Sequence, residues 1–185
     1  MNNVRLSQLA NYAVHLNEVK ASDCERVWQW RNLEHVRTQM KNRDVIEWEH
    51  HQQWFNTMLT DTRQQHFIIN YKTTAIGVIN IHAQQNLETA EAASIGLYIS
   101  DTQYLNNILA FAPSLVMLDY AFNDLNILHL NSEVRRENKA AIRYNQQLGY
   151  RLSEQSSDNH MLLISLNQLE FEQATTKIKH FLNRG

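Results

Sequence analysis

Residues 132–150, with the sequence SEVRRENKAAIRYNQQLGY, constrain the fold more than any other part of the chain. They predict the end of a strand, a turn at 136–137 and then a helix. Asn138 suits the position before that helix, because its side-chain oxygen can accept a hydrogen bond from an orphan amide two or three residues on. Gly149 suits the position after the helix, where the backbone usually turns left-handed. The segment therefore predicts a strand joined to a short, well-delimited helix.

Two apolar runs precede this segment. Residues 91–100 include SIGLYIS and have the length and composition of a strand, and an apolar helix ends with LDYAF at 118–122. The order is therefore strand, loop, helix, strand, helix. A helix that joins two parallel neighbouring strands makes a right-handed crossover. We expect the strands that end at Ser100 and Val134 to be such a pair.

Period-two and helical patterns predict the other elements. A hydroxyl or carboxylate three residues before a glutamate has capping-box spacing, which predicts helix starts at Ser22 and Asp44. The predicted helices are one that Ser22 opens and that ends near 31–32, a short helical turn at 34–40, and two longer helices at 44–59 and 170–182. The predicted strands cover residues 12–19, 66–71, 75–83, 91–100, 150–154 and 160–166, with a turn at 156–159 between the last two.

Composition sets the outer bounds. A chain of 185 residues is long enough for one domain with a substantial core and too short for two, so we expect a single domain over 1–185. The 17 basic and 19 acidic residues predict no basic face for nucleic acid. A single cysteine, Cys24, excludes an internal disulfide framework, and no spacing of histidine, cysteine and carboxylate predicts a metal site. Without a membrane span or signal-peptide core, we expect a cytoplasmic protein with no membrane partner.

The motifs resemble those of the GNAT acyltransferase superfamily over nearly the whole chain. The most specific are ENK at 137–139, AI at 141–142 and LGY at 148–150. The resemblance implies a mixed α/β fold, with a central, mostly antiparallel sheet, a splayed parallel pair at its middle and helices on both faces. It also implies an acetyl-CoA-dependent N-acetyltransferase, in which acetyl-CoA is the co-substrate and no metal takes part.

The opening third is similar to a narrower branch of that superfamily. The matching residues are WRN at 30–32, VR at 36–37, Met40, Ile46 and HQQWF at 51–55. The branch includes the acetyltransferases of nucleotide-linked amino sugars, of the type used in pseudaminic acid synthesis. The resemblance implies a small-molecule acceptor, a UDP-linked amino sugar, bound by the side chains of Arg31, Arg37, Met40, His51 and His82.

Each of these acceptor residues also has a simpler role. Arginines suit a diphosphate because they donate strong hydrogen bonds to its oxygens, and Met40 offers an apolar surface for a base. However, Arg31 also suits capping the carbonyls at its helix end, and Arg37 suits a solvated surface. His51 shares a helical face with Trp54, which favours a hydrogen-bonded packing histidine.

The cofactor assignment rests on the loop after residues 91–100. In the superfamily, glycines in this loop let backbone amides approach the pyrophosphate of coenzyme A at a helix N-terminus. The loop here has no glycine, and only its asparagines tolerate a left-handed backbone well, so we expect weaker binding. Pro113 predicts that the helix starts late or bends. The assigned cofactor residues are Leu97, Tyr98, Ile99, Asn106, Asn107, Ile108, Leu109, Ala110 and Asn138.

Glu133 is the candidate general base for the acceptor amine, because it resembles the superfamily's glutamate in an EV motif at the end of a strand. Its alternative role is a surface carboxylate paired with Arg135 or Arg136. Many members of the superfamily use a tyrosine on the next helix to protonate the leaving thiolate. Here Asn145 stands at that position and Tyr144 one residue earlier, about 100° around the helix. Both are candidates, and core packing is the alternative for the tyrosine.

Two other functions fit the same residues. The missing loop glycines are compatible with a protein that keeps the fold and acts as a binding or interaction protein. Ribosomal-protein N-terminal acetyltransferases also share the superfamily, although they are less similar over the opening third. We expect a small-molecule partner and no nucleic acid, and a homo-oligomer remains open.

Overall fold

The structure is a computed structural model that describes residues 5–105, 108–153 and 160–183. Its strands are β1 (Gln8–Asn11), β2 (Val14–Glu18), β3 (Gln64–Tyr71), β4 (Thr74–His82), β5 (Ala92–Ile99), β6 (His129–Arg135), β7 (Arg151–Ser153) and β8 (Met161–Leu166). Its α-helices are α1 (Cys24–Asn32), α2 (Glu34–Arg37), α3 (Trp48–Met58), α4 (Ala112–Asn123), α5 (Lys139–Gln147) and α6 (Gln168–Leu182). Short 3-10 helices cover Ala21–Asp23, Thr102–Tyr104 and Ile108–Phe111.

The described strands form one sheet in the order β1-β2-β3-β4-β5-β6-β8-β7. Strands β5 and β6 are parallel and pair only at Ala92 with His129 and Ala93 with Leu130. The other neighbouring strands pair antiparallel. Beyond this short contact, β5 and β6 diverge and leave a gap in the middle of the sheet. The predicted mixed sheet with a splayed parallel pair is confirmed, whereas the predicted turn at 156–159 lies outside the described residues.

Helices cover the two faces of this sheet unequally. On one face, α4 buries ten of its twelve residues and shares the larger core with Leu97 and Ile99 of β5. On the other face, α1 and α3 contribute Val27 and Phe55 to a smaller core, against which Tyr98 packs. Alternate residues of β5 therefore point to different faces, as the period of two in a strand requires.

Both predicted ends of α5 are confirmed. Asn138 Oδ1 accepts a hydrogen bond of 2.9 Å from the Ala141 amide. Gly149 has a φ of 98°, and a Cβ at this position would come within 2.7 Å of the Glu170 carbonyl oxygen in α6. Glycine is therefore required here both by the backbone conformation and by the close approach of another helix.

The predicted first strand at 12–19 is instead the second half of a hairpin. Tyr12 and Ala13 join β1 to β2 with φ angles of 50° and 66°. Positive φ at both central residues is typical of a type I′ turn, whose twist suits a two-residue hairpin. The usual Asn-Gly signal is absent, which is why the sequence pattern missed this turn. The Tyr12 hydroxyl anchors it by donating to Asp119 of α4 at 2.8 Å.

The two predicted capping boxes before α1 and α3 are wrong. Ser22 lies inside the 3-10 helix that precedes α1, and no side chain caps α1 itself. Helix α3 begins at Trp48, four residues after Asp44. The reason is that the intervening segment is bonded elsewhere: the Ile46 amide donates to Asn32 Oδ1 of α1 at 2.8 Å. A tertiary contact therefore replaces the local cap.

Candidate active site

One edge of β5 has no strand partner beyond its first residues. At the far end, the Ser100 amide donates to β4 at 2.8 Å, and at the near end the Glu91 carbonyl accepts from the amides of Leu128 and His129 at 2.8 and 3.1 Å. Backbone groups of successive residues in a strand point to opposite sides. Those of Leu97 and Ile99 therefore face the gap, where they can pair with an extended ligand as if it were an added strand. Leu97 and Ile99 are among the residues assigned to the cofactor from the sequence.

The gap widens into a cleft of about 1720 Å³. Residues from β3 to β6 and from β8 form its floor, and residues from all of α1 to α5 form its walls. Pockets for drug-sized ligands measure roughly 300–1,000 Å³, so this cleft has room for an elongated co-substrate and a small acceptor together. The free strand edge and the volume thus fit the pantetheine arm of acetyl-CoA.

Three buried donor atoms in the described part of the chain have no hydrogen-bond partner, and all three belong to residues that line this cleft. They are Arg31 Nη1, the Tyr98 hydroxyl and Arg135 Nε. The pairing of Ala93 with Leu130, continued along both strands, puts Tyr98 level with Arg135 across the gap and on the same face of the sheet. A buried donor without a partner costs free energy. These three cleft residues therefore each carry a donor atom that is unsatisfied in the structure.

Burial also changes the acidity of this cluster. It lowers the pKa of the Arg31 guanidinium, and the nearby Tyr98 partly offsets that change. It raises the pKa of the Tyr98 hydroxyl, with Arg31 opposing. Tyr98 therefore keeps its proton and remains a donor at neutral pH. Because water is largely excluded, an anionic oxygen between these two side chains would form strong hydrogen bonds.

Glu133 lies on the same face of the sheet as Tyr98 and Arg135. If the pairing of Ala93 with Leu130 is continued along both strands, Glu133 is level with Gly96 of β5. Its carboxylate accepts a hydrogen bond of 3.2 Å from Lys41 Nζ, rather than pairing with Arg135 or Arg136. The Glu133 side chain is 37% exposed and the lysine 78%, so solvent screens this ion pair. Glu133 therefore remains accessible from the cleft that it lines.

Residues 39–43, called the strap below, cross the cleft from the end of α2 to β6 and α5. Besides the Lys41–Glu133 pair, its contacts on that side include Asn138 Nδ2 to Gln39 Oε1 at 2.8 Å, Arg135 Nη2 to the Lys41 carbonyl at 3.2 Å, and Arg43 Nη2 to Glu137 Oε1 at 2.5 Å. Asn138, which was assigned to the cofactor, lines the cleft. Its side chain both caps α5 and holds the strap, so it shapes the entrance between them.

Tyr144 and Asn145, the two candidate acids, both line the cleft and both have hydrogen bonds already. The Tyr144 hydroxyl lies 3.0 Å from the Ala110 carbonyl and 2.7 Å from Ser114 Oγ. Its ring stacks on Phe111, and burial raises its pKa. Asn145 Nδ2 donates to a carbonyl one turn earlier in α5 at 2.9 Å. The tyrosine thus fastens the start of α4 to α5.

The loop assigned to the pyrophosphate leads into α4 through a 3-10 helix. Ile108 and Ala110 line the cleft, Leu109 packs against the larger core, and Asn106 and Asn107 lie outside the described residues. Helix α4 begins at Ala112 with Pro113 in its first turn, where proline is tolerated. The residues described in this loop have no positive φ. The described backbone of this loop is therefore right-handed throughout its 3-10 helix.

Four of the five residues assigned to the acceptor line the cleft: Arg31, Met40, His51 and His82. The expected position of Arg37 needs correction, because it is not one of the lining residues. Arg37 Nη1 donates to the Arg43 carbonyl at 3.1 Å, so its guanidinium supports the strap from outside the cleft. Arg31 Nη2 makes a similar contact with the Asn42 carbonyl at 3.2 Å, while its Nη1 is buried without a hydrogen-bond partner.

The geometry of His51 favours its packing alternative. The side chain is buried, and Nε2 lies 3.0 Å from the Cys24 carbonyl oxygen. The rings of Trp54 and Phe55 lie 5.4 and 5.5 Å away. Burial lowers the His51 pKa, and the Cys24 carbonyl only partly opposes this change. His51 therefore supports the wall of the cleft as a neutral ring.

Several residues that line the cleft were not predicted from the sequence as site residues, among them His66, Asn80 and Arg135. In β4 their signal is a polar side chain at every second position of an otherwise apolar strand, at Asn80 and His82. In β6, which is polar at most positions, Glu133 and Arg135 alternate with Val134. Burial, and then His82, lowers the pKa of His66 to about 4. The His66 side chain is therefore a neutral imidazole in the lining of the cleft.

In the described residues, no helix is long and apolar enough to cross a membrane. The same residues contain no group of three or more histidine, cysteine, aspartate or glutamate side chains that could hold a metal ion.

Comparisons with known proteins agree with this geometry. Residues 14–151 match the family model described as acetyltransferase (GNAT) domain. The chain is also similar to Acetyltransferase PseH of Campylobacter jejuni subsp. jejuni, strain 81-176, with 23% identity over 146 residues that cover 78% of this chain and 87% of that protein.

Two solved structures show the same fold. An uncharacterised protein from Bacillus halodurans superposes with a TM-score of 0.76 and 18% identity, covering 91% of both chains. Campylobacter jejuni N-acetyltransferase PseH in complex with acetyl coenzyme A superposes with a TM-score of 0.62 and 18% identity, covering 84% of this chain and 99% of that one.

Proposed function

The chain belongs to the GNAT acetyltransferase family and is an acetyl-CoA-dependent N-acetyltransferase, and we propose that its acceptor is the amine of a UDP-linked amino sugar. The observation that carries this proposal is the set of unpartnered buried donors of Arg31, Tyr98 and Arg135 in one cleft. A diphosphate offers several anionic oxygens to such donors, whereas a free amino sugar offers mainly hydroxyls. The resemblance of the opening third to nucleotide-sugar acetyltransferases supports the same acceptor.

The residues of the cleft divide the work between co-substrate and acceptor. Bound acetyl-CoA supplies an acetyl group activated as a thioester. Leu97 and Ile99 pair with its extended arm through their backbone groups, and the turn at 108–111 lies toward its pyrophosphate. Arg31, Tyr98 and Arg135 hold the acceptor diphosphate on the open face, with Met40 beside the base. Fixing both reactants in one cleft lowers the entropic barrier to their reaction.

Glu133 is the proposed general base. An amine that is protonated at neutral pH must lose a proton before it can attack a carbonyl carbon. Glu133 lines the cleft at the level where β5 and β6 begin to diverge, and its pair with Lys41 is exposed enough to exchange. The carboxylate then accepts the amine proton directly or through one water. Tyr144 and Asn145 are assigned to positioning, because the hydroxyl of the first and the amide nitrogen of the second are already bonded.

Two alternatives account less well for the same observations. A peptide acceptor would need an open groove with backbone partners, and it has no use for two half-buried arginines. An interaction protein without catalysis would have no need to keep a free β5 edge above a cleft of about 1720 Å³. The glycine-free loop affects how tightly the co-substrate binds rather than which reaction takes place.

The test is an acetyl-transfer assay with a panel of UDP-linked amino sugars, the corresponding free amino sugars and a basic peptide. We expect turnover with a UDP-linked sugar and little with the other two. Arg31→Ala should raise the KM for the UDP-sugar by roughly 10- to 100-fold, since a charged hydrogen bond contributes about 1.5–3 kcal/mol. Acetyl-CoA affinity, measured by calorimetry, should stay within about twofold.

Arg26→Ala is the matched control. Arg26 is in the same helix but bonds to Asp23 on the exposed side at 3.5 Å, so the KM should not change. The nucleotide-sugar assignment fails if the peptide is the best acceptor, or if Arg31→Ala and Arg26→Ala change the KM equally.

A further inference from the structure

The Asn80 side chain of β4 fills the space beside Gly96 of β5, where any other residue would carry a side chain. Asn80 pairs with Gly96 across the β4–β5 ladder. An ideal Cβ on Gly96 would lie 2.7 Å from Asn80 Oδ1 and 3.5 Å from Asn80 Nδ2. The Asn80 amide therefore stands where a residue-96 side chain would project, on the face that also carries Tyr98. It reaches this position from the neighbouring strand only because residue 96 is glycine.

The orientation of that amide follows from hydrogen-bond chemistry. The Gly96 amide donates to Asn80 Oδ1 at 3.0 Å. A backbone N–H needs an acceptor, so the oxygen must point toward Gly96 and the NH₂ group away from it. In the described part of the chain, Nδ2 has no hydrogen-bond partner and is not one of the buried atoms. Since Asn80 lines the cleft, its two N–H donors are available there.

The position of this donor relative to the gap is fixed by the strand register. The last pair between β5 and β6 is Ala93 with Leu130. Gly96 lies three residues after Ala93, and Glu133 lies three residues after Leu130. The Asn80 amide and the Glu133 carboxylate therefore flank the gap at one level, the first beside β5 and the second beside β6. This is where the strands have just parted and where a ligand arm inserted between them ends.

We propose that Asn80 is a further catalytic residue, which donates a hydrogen bond from Nδ2 to the thioester carbonyl oxygen of acetyl-CoA. In the transfer step, the amine nitrogen bonds to the carbonyl carbon, and the carbonyl electron pair moves onto the oxygen that Asn80 faces. When that pair returns, the carbon–sulfur bond breaks with its electrons on sulfur, and the amine proton passes to Glu133. Asn80 itself is unchanged. A donor placed where negative charge develops favours the transition state over the ground state.

The inference depends on the family's acetyl transfer and not on the identity of the acceptor. It therefore predicts a binding difference that needs no acceptor. Free CoA lacks the carbonyl that Asn80 contacts, whereas acetyl-CoA has it. The informative variant is Asn80→Asp, because the aspartate keeps an oxygen for the Gly96 amide but replaces the NH₂ donor by a second, negative oxygen.

Calorimetry of Asn80→Asp should show acetyl-CoA affinity reduced about fivefold or more while CoA affinity changes less than about twofold. With any acceptor that the wild type uses, kcat should fall roughly 100-fold. Asn80→Ala should give the same difference between the two ligands, because it also removes the donor. Asn70→Asp is the matched control, since Asn70 is a half-buried asparagine of β3 that does not line the cleft.

Three results would overturn the proposal: equal weakening of acetyl-CoA and CoA by Asn80→Asp, no weakening of either, or the same difference in Asn70→Asp. A variant that binds neither ligand and unfolds early in urea points to a purely structural Asn80, and it counts against the proposal in the same way. These outcomes are separate from the acceptor assay, because a failed nucleotide-sugar assignment leaves the difference between acetyl-CoA and CoA intact.

Discussion

The two faces of the sheet beside the β5–β6 gap are built on opposite principles. On the α4 face, helix and strand side chains close into one apolar core, and ten of the twelve α4 residues are buried. On the α1–α3 face, α1 buries only Val27, and three buried donors remain without partners in the described part of the chain. One strand, β5, supplies both faces with alternate residues. The apolar face therefore holds the gap open, while the polar face is shaped for ligands.

The difference follows from where free energy is gained. Burying apolar surface on the α4 face contributes roughly 25 cal/mol per Å². Unpartnered donors on the other face reduce stability by about 1–3 kcal/mol each until a ligand supplies acceptors. Mutations on the two faces should therefore separate, with activity sensitive on one side and stability sensitive on the other.

The largest expected effect is on the polar face, at Glu133. Glu133→Gln should lower kcat by roughly 1,000-fold with little change in the KM for the acceptor, because a general base contributes about 10²- to 10⁴-fold. The urea midpoint should hardly move, since the Glu133 side chain is 37% exposed and its ion pair with Lys41 is screened.

Glu137→Gln is the control for this change. Glu137 pairs with Arg43 of the strap at 2.5 Å and does not line the cleft. If both variants lose turnover equally, the strap contacts are responsible and Glu133 has no role as a base.

The next largest effect is on the apolar face, at Leu115. This α4 residue is fully buried, and Leu115→Ala removes packed atoms and leaves a cavity that costs about 3–4 kcal/mol of unfolding free energy. Urea denaturation measures this loss. Leu169→Ala, at a leucine that is 62% exposed on α6, should cost less than about 0.5 kcal/mol. A Leu115→Ala protein that stays folded should retain the wild-type KM for the acceptor.

The sequence predicted the α4 face and the α5 unit well because their signals are local. Asn138 and Gly149 act within one turn of their helix, so the cap and the stop are visible in the sequence. The apolar run at 118–122 reads as a buried helix for the same reason. By contrast, the turn at Tyr12 and Ala13 carries no glycine, and it was missed.

The polar face was predicted only in part because it depends on non-local register. Arg31 and Arg37 look alike in the sequence. However, the helix is interrupted at Leu33, between α1 and α2, and this changes the direction of the Arg37 side chain. Arg135 and Asn80 become functional candidates only once β5 is placed between β4 and β6. That placement sets Tyr98 opposite Arg135 and Gly96 beside Asn80. No local sequence pattern specifies this order of strands.

A fall in pH should act on the polar face, because that face contains a buried neutral histidine. The pKa of His66 is lowered from about 6.5 to about 4, chiefly by burial. Since the folded pKa lies below the unfolded one, the unfolded state binds the proton more readily. The stability contribution of neutral His66 is therefore complete above pH 6.5 and is lost as the pH falls from 6.5 to 4, by about 3 kcal/mol.

Urea denaturation of His66→Gln between pH 7 and 4 measures this contribution. The variant should lose less stability than the wild type over the same range. His15→Gln, at an exposed histidine of β2, should behave like the wild type. Parallel pH curves for the wild type and His66→Gln would mean that other groups cause the acid sensitivity.

The smallest effect that we expect is at Tyr144, which joins α5 to the start of α4. Tyr144→Phe removes the contacts of its hydroxyl with Ala110 and Ser114, so unfolding free energy should fall by about 1 kcal/mol. Acetyl-CoA affinity should fall about threefold, because the turn at 108–111 is less firmly held, while kcat stays within about twofold. Tyr71→Phe in β3 is the control and should change neither. If instead kcat falls about 100-fold at unchanged acetyl-CoA affinity, Tyr144 protonates the leaving thiolate and the division between a ligand-binding face and a structural face does not hold at this residue.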